Sequence, residues 1–338
     1  MELPGRAIDD ELYLASLSQA EKMQIGYVKT PLIAEGREGM DLTAKGIPED
    51  LWGETGLEVL YLDNNGIKEL PEGLKCLRHL RKFSAYHNEL RGIPGWFFEM
   101  ESLEAVNVSA NRIEVFSDSV RKLRNLHTWD IQHNGLMEVP EGVGELLQLR
   151  FLYLAGNRLT ALPISLAKLG RLEYLNLSHN AFAELPACVA HLGNLRELRI
   201  YHNQIRAMPD LGELKQLREL HAMHNRLTSL PESIGKLGCL RKLILENNWL
   251  EQLPESLGNL HQLTDLDLRS NRLMRLPPSI GDLRMLRFLD LRNNQLRELP
   301  AGIAHLMRLE KLDVRLNKSL AIPDWFDVLR EKGCTFYS

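Results

Sequence analysis

Cysteine is scarce in this 338-residue chain: Cys76, Cys188, Cys239 and Cys334, none in a CxxC pair. That spacing points to free thiols in a reducing compartment rather than to a disulfide framework or a zinc ribbon. No apolar run approaches the roughly 18 residues needed to span a bilayer, so membrane insertion is not expected. The opening residues, MELPGRAIDDELYLA, have neither a basic n-region nor a continuous apolar stretch and do not read as a signal peptide. The expected location is the cytoplasm; export would need a route independent of a signal peptide. Charge of one sign is not in excess, since 41 Lys and Arg face 45 Asp and Glu for a net −4. Such a balance supplies no global field for nucleic acid or an anionic membrane, and neither is expected as a partner. A Gly-rich phosphate loop, HExxH, GxSxG and a kinase signature are all missing. No catalytic residue, cofactor or metal is assigned on this basis, and the chain reads as non-enzymatic.

What is present is a repeat. Leu149 to Arg171 reads LRFLYLAGNRLTALPISLAKLGR, the pattern LxxLxLxxNxLxxLPxxLxxLxx. Its asparagine recurs at Asn65, Asn88, Asn111, Asn134, Asn157, Asn180, Asn203, Asn225, Asn248, Asn271, Asn294 and Asn317. The step is 23 residues except from 203 to 225, where it is 22. This period with this signature is that of a leucine-rich repeat. Leu152 and Leu154 are two apart and share one face of a short strand, while Phe151, Tyr153 and Ala155 point the other way. The asparagine amide hydrogen-bonds backbone that the turning chain would leave unpaired. Pro163 suits entry to a short helical or 3-10 segment on the convex side. One unit cannot bury its leucines alone, so units stack into an α/β solenoid with a parallel concave sheet. About 12–13 repeats are expected over residues 40–323.

The ends depart from the pattern. Residues 1–39 look helical, with Ile8, Leu12, Ala15, Leu17 and Met23 as a loose apolar face and Ser18 with Glu21 as a capping box. They read either as a helical N-terminal cap or as a separate recruiting or targeting segment. Met40 to Glu54 is a degenerate unit with Lys45 in the asparagine place. Residues 324–338 read as a C-terminal cap: a helix from Pro323-Asp324 to about Glu331, a Gly333 stop and a last strand over Cys334 to Tyr337. Caps at both ends lead to the expectation of a complete chain with no room for an attached enzymatic domain.

The Leu-Pro step at Leu70-Pro71, Val139-Pro140, Leu162-Pro163, Leu185-Pro186, Met208-Pro209, Leu230-Pro231, Leu253-Pro254, Leu276-Pro277 and Leu299-Pro300 carries a family resemblance. These units resemble the repeats of plant intracellular Ras-group-related, Ras-suppressor and Scribble-like proteins. They are also similar to those of bacterial leucine-rich repeat proteins, including effectors. The resemblance implies a curved solenoid that binds a protein on its concave side. It says little about which protein, because such families share a scaffold and differ in partner.

Stacked strands set equivalent positions in columns about 4.8 Å apart, so outward residues form one readable wall. In the middle that wall carries Phe151, Tyr153, Tyr174, Arg199, Tyr201, His202, His221, Met223 and His224. Aromatic residues, Met and Arg are the types enriched at interface cores, and this region is the candidate partner site. Its tyrosines are expected to face outward and to be dispensable for folding. In the C-terminal third, Asp267, Asp290 and Asp313 form one column and Arg269, Arg292 and Arg315 the next. That strip is either a self-neutralising ladder or an electrostatic docking surface. His179, His202 and His224 recur at one repeat position, which is not by itself a metal site. Two functions follow: a non-enzymatic protein-interaction module, or an effector or regulatory adaptor whose repeats recognise a host or signalling protein.

Overall fold

The computed structural model describes residues 39–338, so the expected N-terminal cap, Gly39 apart, lies outside the described residues. Every unit contributes one three-residue strand, from β1 (Gly39–Asp41) to β13 (Lys311–Asp313), and β14 (Thr335–Tyr337) follows. The fourteen strands form one sheet in strict sequence order. Pairing is parallel with no slip: across β6 (Phe151–Tyr153) and β7 (Tyr174–Asn176), Phe151 pairs Tyr174, Leu152 pairs Leu175 and Tyr153 pairs Asn176. Most units return the chain to the same height after 23 residues, and where the spacing differs, as between Glu197 and Glu219 or Lys311 and Thr335, the difference is absorbed outside the strands.

The convex side is made of five-residue 3-10 turns such as Ile164–Lys168 and Glu232–Lys236. Proline stands immediately before most of them, with an extended backbone (Pro163 φ −65°, ψ 143°). The unit with Phe116-Ser117 lacks that proline. There the Ser117 hydroxyl accepts the Ser119 N–H at 3.2 Å, so a side-chain cap replaces a fixed φ. Between β8 (Glu197–Arg199) and β9 (Glu219–His221), the 22-residue unit forms no 3-10 turn. Asp210 caps Gly212 N–H at 2.8 Å and Ser233 accepts Leu211 N–H at 3.0 Å instead.

The leucines fill one continuous core from Leu51 to Leu329, and Trp129 and Phe83 occupy leucine places within it. Alongside runs the asparagine ladder. Asn157 accepts Leu136 N–H at 3.1 Å and donates to the carbonyls of Ile131, Leu154 and Ala155. Each rung thus bonds the preceding repeat as well as its own turn. In the degenerate first unit Lys45 cannot do this, and the ladder starts at Asn65, which accepts Gly46 N–H at 2.8 Å. At the other end, helix α1 (Phe326–Glu331) and β14 set Phe326, Leu329 and Cys334 against the last leucines.

The residue before each ladder asparagine is left-handed. His87, His133, His179, His202 and His224 have φ of 52–54°, Asn64, Asn247 and Asn293 of 52–57°, and Gly156 66°. Ala110, Ser270 and Leu316 hold the same position at φ of 52–64°, but glycine, asparagine and histidine adopt this backbone more readily, which accounts for the recurring histidine without any ligand.

Candidate interaction surface

The concave wall is built from three columns on each strand and its exit. The column at the third strand position holds a device that repeat spacing did not disclose. Asn107, Asp130, Asn176, Asp267, Asp290 and Asp313 each accept the N–H two residues on, at 2.9–3.4 Å. These acidic and amide side chains therefore close the strand ends before they offer anything to a partner.

The middle of the wall is a packed aromatic and imidazole surface. Tyr153 and Tyr174 lie with ring centroids 4.8 Å apart, Phe151 against them, apart from the leucine core. The Arg199 guanidinium sits 5.5 Å from the Tyr174 ring and donates to Glu197 at 2.6 Å. His179, His202 and His224 stack with centroids 4.4 and 4.2 Å apart, and Tyr201 meets His179 edge-on. Beside them is a depression of about 230 Å³ lined by Arg199, Tyr201, His202, His221, Met223, His224 and Glu246. The structure thus brings together the central residues picked out by the sequence.

One expectation is corrected. The tyrosines leave the leucine core on the concave side, but they are not freely accessible: Tyr153 is 4%, Tyr174 4% and Tyr201 7% exposed. Arg199 and His221 are buried as well. Large side chains on neighbouring strands pack against one another, tilted or edge-on, and cover each other's area. Phe151, His202, Met223 and His224 are the half-buried members of this surface. The tyrosines are therefore not dispensable for packing.

Electrically the region is self-balanced. Glu219 meets His221 at 3.0 Å and Lys242 at 3.1 Å. Burial would raise its carboxyl, but the His221 and Lys242 contacts outweigh that and hold it at about 2. Ligand atoms of Glu197, Glu219 and His221 lie within 4.8 Å of one another. Both carboxylates already have a cationic partner in Arg199 or Lys242, so a metal ion would have to displace it. The stacked histidine rings are nearly parallel, at 16° and 5°, and present no converging nitrogens.

The charged strip bonds within itself. Arg292 donates to Asp290 at 2.9 Å, Arg315 to Asp313 at 2.9 Å, and Arg269 reaches Asp267 at 3.1 Å and Glu246 at 2.5 Å. Burial raises the Asp267 carboxyl to about 6 against the pull of Arg269. A further depression, about 390 Å³, opens on the opposite edge of the strands, where Arg150 and Arg196 both hold Glu173. Its residues come from two columns that were not singled out, His127, Arg150, Glu173 and Arg196 in one and Arg171, Asn194 and Gln216 in the other, because mixed polar residues carry no signal until the repeats are stacked. Cys188 and Cys334 are buried, which pushes both thiols up, away from nucleophilic chemistry.

Asp130, on β5 (Thr128–Asp130), yields a pH prediction. Burial pushes its carboxyl up to about 7, against the Gln132 N–H and the Ser109 hydroxyl. Between about pH 4 and 7 the folded carboxyl holds a proton that the unfolded one has released, so stability falls as pH rises through that window. Asparagine fits this position, since Asn107 and Asn176 make the same bond at 2.9 and 3.1 Å. Asp130→Asn is expected to melt several degrees higher than the parent at about pH 8, taking roughly 2–4 °C per kcal/mol. The gap should close near pH 4, and a gap independent of pH would remove the titration account.

No helix among the described residues is long and apolar enough to cross a membrane. The family profile described as leucine-rich repeat region matches residues 106–208, 138–226 and 255–331. Two further profiles, both described as leucine rich repeat, match residues 215–273 and 56–77. No curated protein sequence matches the chain. Among solved structures, a Leptospira interrogans leucine-rich repeat protein is similar at 28% identity and TM-score 0.64, covering 89% of this chain and 90% of that one. The plant peptide hormone receptor RGFR1, solved in complex with RGF2, is similar at 30% identity and TM-score 0.71, covering 82% of this chain but 45% of the receptor. An internalin from Listeria monocytogenes shares the fold at 19% identity and TM-score 0.77, with 90% and 87% covered. With the repeat-region profile matching more than half its length, on a parallel sheet of asparagine-laddered units, this chain belongs to the leucine-rich repeat family.

Proposed function

We propose that the chain is a non-enzymatic interaction module that takes a protein partner on its concave wall, over Phe151, Tyr153, Tyr174, Arg199, Tyr201, His202, His221, Met223 and His224. The observation that carries this is the apolar and imidazole surface around the 230 Å³ depression, outside the leucine core and with its charges already paired. Internal pairing lowers the desolvation cost of covering that surface, and side chains already packed lose little freedom on binding. The plant receptor solved with RGF2 is a similar solenoid in a complex, which supports a binding role of the same class.

Because the tyrosines are packed, the test belongs on the half-buried residues. His202→Asn, which keeps a residue suited to the left-handed backbone, with Met223→Ala is expected to weaken capture of the cognate protein at least about tenfold, the scale of an interface hot spot. The melting curve should stay close to the parent's. A folded double variant that captures the partner as well as the parent would overturn the proposal.

A further inference from the structure

A second surface lies on the loops that leave the strands, one residue past the ladder asparagines. Three successive repeats place Arg226, Trp249 and Arg272 there. The guanidiniums lie 5.9 and 4.9 Å from the one indole centroid, one from each neighbouring repeat. Trp249 is 39% exposed. Elsewhere the protein's arginines commonly meet carboxylates in the next repeat, as Arg150 meets Glu173 and Arg287 meets Glu310. Among the described residues neither Arg226 nor Arg272 has a carboxylate at ion-pair distance. Two like charges thus flank one ring without an ion pair to either. The following residues of the same loops add exposed Met274 and Arg275, against Glu251, and the next repeat's loop adds exposed Arg297 and Glu298.

We infer that this edge docks an acidic protein segment, rich in aspartate or glutamate. Its carboxylates would bridge Arg226 and Arg272 over the Trp249 edge and relieve their mutual repulsion. Charge complementarity selects an acid, and Trp and Arg are among the residue types enriched at interface hot spots. A guanidinium from each neighbouring repeat already lies near the indole, so a nucleic-acid base would have to displace one of them to stack there.

The experiment uses the full chain with a fluorescent Glu-rich peptide, an oligouridylate of matched charge and phosphatidylserine vesicles as separate probes. Saturable peptide binding is expected at low salt, weakened at least about tenfold by Arg226→Glu with Arg272→Glu and suppressed as salt shortens the screening length. Trp249→Ala should weaken it as well. All three positions are on the surface, so melting curves should match the parent's. Absent peptide binding, equal binding by the charge-reversed chain, or preferential arginine-dependent binding of the oligonucleotide or vesicles would each overturn the inference. His202→Asn with Met223→Ala should leave peptide binding unchanged, which keeps this surface and the concave one separately testable.

Discussion

Replacing Asn157 by alanine is expected to lower the unfolding free energy by roughly 2–4 kcal/mol, the cost of leaving buried backbone groups without partners. The side chain is only 7% exposed, so water cannot substitute for it. Its carbonyl accepts Leu136 N–H at 3.1 Å, and its amide serves Ile131 at 3.1 Å, Leu154 at 3.0 Å and Ala155 at 3.3 Å. Alanine removes both ends of this clamp and leaves Leu136 N–H buried and unmet. Two of the bonds run to the preceding repeat, so the loss falls on the interface between units as well as within one. In a chain whose stability is a sum of repeat and neighbour contributions, that weak joint should broaden or split the urea transition. Asn65→Ala, at the thin end of the ladder where the side chain is less buried, should cost distinctly less. A loss below about 1 kcal/mol at Asn157, or an equal loss at both sites, would mean the ladder is incidental.

Trp129→Ala should cost about as much or more, roughly 3–5 kcal/mol, by opening a cavity in a core that is too well packed to collapse. Trp129 is 1% exposed and faces inward from β5 at a place where the repeat ordinarily has leucine. Phe116, itself in the place of the leucine that usually precedes proline, meets it edge-on with centroids 5.1 Å apart. The two irregularities in the repeat are therefore one compensated pair. Trp129→Leu restores the repeat letter but not the volume, and should still destabilise while Phe116 remains. A double-mutant cycle on Phe116 and Trp129 should return a coupling of about 0.5–1.5 kcal/mol. Additive losses would show that each fills its own space.

Much of this molecule was legible in its letters. The period of 23 placed the strands, the two-residue alternation in LxL separated core from wall, and the Leu-Pro step located the convex turns. Trp129 could be assigned inward from its position alone. The 22-residue unit was visible as a missing residue, though not that it would dispense with its 3-10 turn and borrow Ser233 from the next repeat. The histidine column was legible as a pattern, but its cause, a left-handed backbone at φ of 52–54°, is a property of the turn.

Periodicity fixes direction: a side chain two residues from a core leucine must share its face, and in-register stacking must align equivalents. That much follows from backbone geometry and needs no coordinates. Accessibility does not follow, because it depends on which rings from adjoining strands come to rest against each other. So the sequence by itself assigned Tyr153, Tyr174 and Tyr201 to the concave wall, while the folded packing made them its foundation and left His202, Met223 and His224 as its outer layer. Pairings across repeats belong to the same class. Arg150 and Arg196 on Glu173, or Arg226 and Arg272 on Trp249, join residues about 23 positions apart whose contact exists only once the coil has closed on itself.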